Sequence, residues 1–94
     1  MYLINLSYHR PMDEVEALTE PHILWLKRYF DAGVFIAAGR KDPRTGGVIM
    51  AQDIDRSRLD TILAEDPFVA VANYEVIKVN ITLTSEALKA LAEA

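Results

Sequence analysis

The sequence predicts an α+β domain whose elements run β-α-β-β-α-β, with one more helix at the end. Three observations carry that prediction. Residues 2–8, YLINLSY, alternate with a period of two, the mark of a strand with one strongly apolar side. Apolar residues recur at helical spacing between 12 and 32, and again around 59–63. Between these helices lie two short apolar runs, VFIAAG (34–39) and VIMAQ (48–52), joined by the turn chemistry of RKDPRTGG (40–47).

Taken in order, the first strand puts Tyr2, Ile4, Leu6 and Tyr8 on one face and Leu3, Asn5 and Ser7 on the other. Pro11 ends it. Asp13 with Glu16 resembles a capping box, and Val15 and Leu18 start an apolar stripe. Pro21 would break a helix interior but suits a first turn. The pattern therefore predicts a short turn, a cap at Thr19, and a main helix over about 20–32. Its apolar face is Ile23, Trp25, Leu26, Tyr29 and Phe30, and Gly33 is its C-terminal stop.

VFIAAG is apolar on both faces, as in a strand covered on both sides. With VIMAQ it forms a hairpin. Asp55 caps a second helix whose stripe is Leu59, Ile62 and Leu63, closing near Glu65. After Pro67 a long final strand lies within VAVANYEVIKVNI. SEALKALAEA then reads as a short amphipathic helix with Leu88 and Leu91 on one side. This order is the ferredoxin-like split βαβ arrangement with an extra C-terminal helix. Such a sheet carries helices on one face only, so the other must be covered, most simply by a second copy.

Length and composition agree. Ninety-four residues make one domain, which buries roughly 60–65% of the surface of its unfolded chain. Yet 51% of the residues are hydrophobic, a surplus that points to a homodimer. A net charge of −4, with no basic stripe interleaved by aromatics, argues against nucleic acid as a partner. No apolar run reaches the ~20 residues of a membrane span. The chain has no cysteine, which removes disulfides and thiolate metal sites and fits a reducing compartment. The N-terminus lacks a signal-peptide pattern, so a cytoplasmic location is expected.

Few residues carry chemistry. Asp66 sits where the second helix ends, and its negative charge there opposes the helix dipole. Pro67 biases it toward extended geometry. A solvated acid in an Asp-Pro turn is the plain alternative. His22 borders the buried stripe, with Trp25 and Leu26 one turn on. Histidine can act as base or acid near neutrality, although a hydrogen-bonded packing residue is the alternative. His9 could approach the same end of the sheet, but no metal-ligand spacing supports a His/His/Asp site. Ser7 has no GxSxG context. Arg40, Lys41 and Arg44 make the hairpin basic and could hold an anion, with a solvated tip the simpler reading for Lys41 and Arg44. GRKDPRTGG is neither a Walker loop nor a dinucleotide fingerprint.

Three segments together resemble the YciI-like (YCII-related) family: PHILWL (21–26), AAGRKDPRTGGVIMA (37–51) and EDPFVAVANYEVI (65–77). The resemblance runs in register over nearly the whole chain, so 1–94 reads as one such domain. It implies pairing into a dimeric α+β barrel. It also implies an active site built from a histidine and an aspartate, matched here by His22 and by Asp66 of DPF. Family members often carry proline where this chain has Arg40, so a role for Arg40 would be particular to a subset.

Residues and resemblance together lead to an expected function. His22 acts as general base or acid, and Asp66 fixes its tautomer and stabilises the imidazolium. The pair works without a metal or organic cofactor, in an isomerisation or elimination on a small molecule. Ser7, Tyr8, Arg40 and Phe68 are the expected substrate-binding residues, with Trp25 and Tyr74 as further aromatics for an apolar pocket. Two competing readings are a non-catalytic small-ligand or interaction module and a purely structural His–Asp contact.

Overall fold

The computed structural model describes all 94 residues, Met1–Ala94. Strand β1 (Tyr2–Tyr8) leads into helix α1 (Met12–Asp31), then strands β2 (Phe35–Arg40) and β3 (Gly46–Ala51), helix α2 (Arg56–Ala64) and strand β4 (Ala72–Lys78). A short 3-10 helix, Pro67–Ala70, joins α2 to β4, and a second, Glu86–Glu93, ends the chain. The four strands form one antiparallel sheet in the order β2-β3-β1-β4. This is the strand order of a ferredoxin-like α+β fold.

The period-two pattern of β1 decides which face is the core. Tyr2, Ile4 and Leu6 are buried together with Ile49 and Ala51 of β3. Val15 and Trp25 of α1 and Leu59, Ile62 and Leu63 of α2 join the same cluster. Both helices therefore pack on one face. The Trp25 indole N–H donates to the Ile62 carbonyl at 3.0 Å and ties them together. The opposite face carries Leu3, Met50 and Ile77 in one register row. Leu3 and Met50 are only half-buried and Ile77 is exposed, so this isolated chain leaves apolar surface there.

Helix α1 differs from expectation in one respect that shapes the site. It runs unbroken through Pro21. Proline removes the bond from residue 21 to the Ala17 carbonyl, but both residues lie on the exposed side, where water can satisfy that carbonyl. Thr19 is no cap; its hydroxyl donates back to the Val15 carbonyl at 3.0 Å. The capping box is also absent, because Pro11 occupies the N-cap position and no side chain caps the helix. Gly33 does terminate α1, at φ +76°, a conformation that favours glycine.

Three other expectations need correction. Strand β2 lies at the sheet edge and is exposed beyond Ile36 rather than covered on both sides. Ile23 and Phe30 of the predicted apolar face are 41% and 37% exposed. The C-terminal segment is a 3-10 helix kinked at Leu88 with no buried residue; SEALKALAEA has the spacing of an amphipathic helix but finds no surface in this chain to bury it. Within the sheet, Gly46 permits a close approach. A Cβ there would lie 1.9 Å from the Leu6 carbonyl oxygen, so only glycine lets β3 reach β1 at this point.

Candidate functional site

The site is organised by the 3-10 turn that begins at Asp66. Asp66 closes α2 but serves the next element: it is the N-cap of Pro67–Ala70, and its Oδ1 accepts from the Phe68 backbone N–H at 2.9 Å. The negative charge that is misplaced for α2 is well placed there. Its side chain is wholly buried, contrary to the solvated-turn alternative. An ionised carboxylate so buried needs several donors, and Asp66 has three. Besides Phe68 they are His22 Nδ1, 2.7 Å from Oδ1, and the Tyr74 hydroxyl, 2.5 Å from Oδ2.

His22 reaches Asp66 because α1 is continuous, which carries its middle turns against the Pro67–Ala70 turn. The imidazole lies flat on the Phe68 ring, with centroids 3.8 Å apart and planes 7° apart. Its side chain is 12% exposed. A carboxylate can only accept, so the bond at Nδ1 makes that nitrogen the protonated one. Nε2 is left with its lone pair and no hydrogen bond within the chain. Tyr74 must likewise donate. Burial first, and then its bond to Asp66 and that group's charge, push its phenol far above the usual range, so it stays neutral.

His22 lines a cavity of about 430 Å³ between α1 and the sheet. Leu6, Ile23, Leu26 and Phe68 supply apolar wall, and Tyr8 meets Phe68 edge-on at 5.8 Å. Arg40 also lines it, owing to a β-bulge. The register of β2 against β3 slips between Phe35 and Ala37, so Ala38 opposes Ile49 and Arg40 opposes Gly47. Without the extra residue Arg40 would face the other way.

Of the expected substrate-binding residues, Tyr8, Arg40 and Phe68 therefore meet His22 at one cavity. Ser7 does not. It alternates onto the face away from the helices, where its hydroxyl accepts from Lys41 Nζ at 3.2 Å. Trp25 is buried in the core and Tyr74 stands behind Asp66, so neither lines the cavity. His9 is exposed beyond β1, and no three His, Asp or Glu side chains cluster as a metal site.

Two residues escaped the sequence reading. Arg44 was expected at a solvated tip but lines the cavity, with only 30% of its side chain exposed. Tyr74 was expected in the pocket but is the third partner of Asp66. The alternation of ANYEVIK puts Tyr74 on the core face, a signal that was legible; its register opposite Leu6 was not.

A histidine oriented by a buried carboxylate, at the wall of an apolar cavity in a one-faced α+β sheet, can accept and return a proton. The chain belongs to the YCII-related domain family, whose family model matches residues 1–80. The terminal 3-10 segment lies beyond that match. No curated protein matches the chain. No helix is long and apolar enough to cross a membrane.

Proposed function

We propose that this domain is a small enzyme that moves a proton on a small organic molecule, in an isomerisation or elimination. His22 is the general base, acting through Nε2, and then the acid that returns the proton. Asp66 is its positioning residue: it holds Nδ1–H, fixes the tautomer and stabilises the imidazolium as it forms. Tyr74 and the Phe68 N–H donate to Asp66 and hold its side chain in place. Every step falls to side chains of the chain itself. The observation that carries the reading is the 2.7 Å contact between Nδ1 and a carboxylate with no exposed surface, while the same ring lines the cavity.

The reading includes a homodimer. Two copies would cover the apolar row Leu3, Met50 and Ile77 by pairing their sheets into a dimeric α+β barrel. A purely structural reading also has an observation in its favour, since Asp66 caps a turn and bridges α1 to β4.

Deuterium uptake from heavy water separates these readings. Small carbonyl compounds and hydroxyaromatics with weakly acidic C–H bonds are incubated with the wild type, His22→Ala and Asp66→Asn, and exchange is followed by NMR. The proposal expects exchange by the wild type, loss with His22→Ala and a strong reduction with Asp66→Asn, all in folded protein. No exchange in any compound, or exchange that survives His22→Ala, would overturn it.

A further inference from the structure

We propose that the cavity takes a molecule bearing a carboxylate, held by Arg44 and Arg40, with its carbon skeleton on the apolar wall and a C–H bond turned to His22. The proposal rests on the proton-transfer reading and names its substrate class.

The charge of the lining is the first observation. The chain holds 14 acidic residues against 10 lysines and arginines. Yet the cavity is lined by two arginines and a histidine, and by no aspartate or glutamate. Asp66 does not offset them, since it lies behind His22 with both oxygens engaged. A patch opposite in sign to the whole chain favours an anionic occupant.

Arg44 supplies the second observation. Its Nε is buried with no hydrogen-bond partner. The nearest carboxylate, Glu16, is 3.9 Å from Nη1, too far for a hydrogen bond. A buried donor without an acceptor is costly and uncommon. The Nε–H and a neighbouring Nη–H form the fork that a carboxylate fits with two parallel bonds. Arg40 comes from the other end of the turn, aimed inward by the bulge in β2.

A carboxylate suits this site better than a phosphoryl group. The cavity touches the middle of α1, at Thr19, His22 and Leu26, and not a helix N-terminus with free backbone N–H groups. The chemistry also connects. When Nε2 takes the C–H proton, the electron pair of that bond spreads onto the conjugated carbonyl or carboxylate oxygens, where an arginine stabilises it. The imidazolium then returns the proton to another carbon, or the pair expels a β-substituent as the leaving group. Neither course needs an oxidant or reductant.

The test titrates isotope-labelled protein with acetate and benzoate, and with acetamide and benzamide as neutral counterparts, following the Arg44 Nε–Hε and His22 ring resonances. The carboxylates are expected to move both resonances and the amides neither. Arg44→Gln should weaken benzoate about tenfold or more. Lys41→Gln, in the same turn but bonded to Ser7 on the other face, should leave it unchanged. Carboxylates that move neither resonance, amides that bind as well, or equal losses from Lys41→Gln and Arg44→Gln would each overturn the proposal. The wild-type comparison of acid with amide holds even if a variant folds poorly. Deuterium uptake keeps the two readings apart. Carboxylate binding at Arg44 without His22-dependent exchange leaves the anion site and removes the enzyme. His22-dependent exchange on neutral compounds alone does the reverse.

Discussion

His22 stacks on Phe68 with ring planes 7° apart, and the backbone N–H of that same Phe68 donates to the carboxylate that holds His22 Nδ1. One four-residue turn thus sets both the plane of the imidazole and its rotation within that plane. Stacking alone would leave the ring free to flip, and the hydrogen bond alone would let it tilt. The pair removes both freedoms.

Asp66 should therefore matter for stability as well as for chemistry. Asp66→Ala strands three donors, one buried and two part-buried, and leaves a void. A loss of about 3–5 kcal/mol is expected in urea unfolding. Asp66→Asn keeps the shape and one acceptor, and should lose clearly less.

Tyr74 predicts the alkaline limb of stability. Its folded pKa is raised above the ordinary value near 10, so the unfolded chain gives up this proton first as pH climbs. The contribution is complete below pH 10 and is lost progressively above it. The slope is at most about 1.4 kcal/mol per pH unit for one proton, and less for a partly exposed ring. Tyr74→Phe should flatten that limb while lowering stability at neutral pH. Tyr29 is raised too, mainly through its bond to Glu65, but it stands at the surface and Tyr29→Phe should change the limb little.

The central part of this site was legible in the residues, and its surroundings were not. His22 stands out as one of two histidines and the one beside an apolar stripe. Asp66 stands out because its charge is wrong for the helix it ends. Those are local facts. Tyr74 and Arg40 depend on register, and one bulge at the edge strand decides where Arg40 points, whereas alternation already put Ser7 on the face opposite Leu6 and Tyr8, against its expected binding role. Arg44 depends on how a turn folds back, which composition does not state. Pro21 misled for a physical reason: the rule against interior proline weakens on an exposed helix face, where water takes over the carbonyl.

Gly46 tests the register on which the cavity is built. Gly46→Ala drives a methyl group into the Leu6 carbonyl, so a loss of about 2–4 kcal/mol in thermal or urea unfolding is expected. Gly39→Ala, where a Cβ meets nothing within 4 Å, should be nearly neutral.

Sedimentation tests the dimer. The wild type should sediment as a dimer. Met50→Glu, which sets a charge in the apolar row of the open face, should sediment as a folded monomer, and Glu20→Lys on the exposed side of α1 should not. A monomeric wild type would remove the barrel from the account.

The central claim is that Asp66 fixes the tautomer of His22, and long-range ¹H–¹⁵N NMR of the imidazole reads it directly. In neutral wild-type protein Nδ1 should carry the proton and Nε2 the lone pair, and Asp66→Ala should shift the population toward Nε2–H. An Nε2–H tautomer in the wild type, or a tautomer indifferent to Asp66→Ala, would contradict the account.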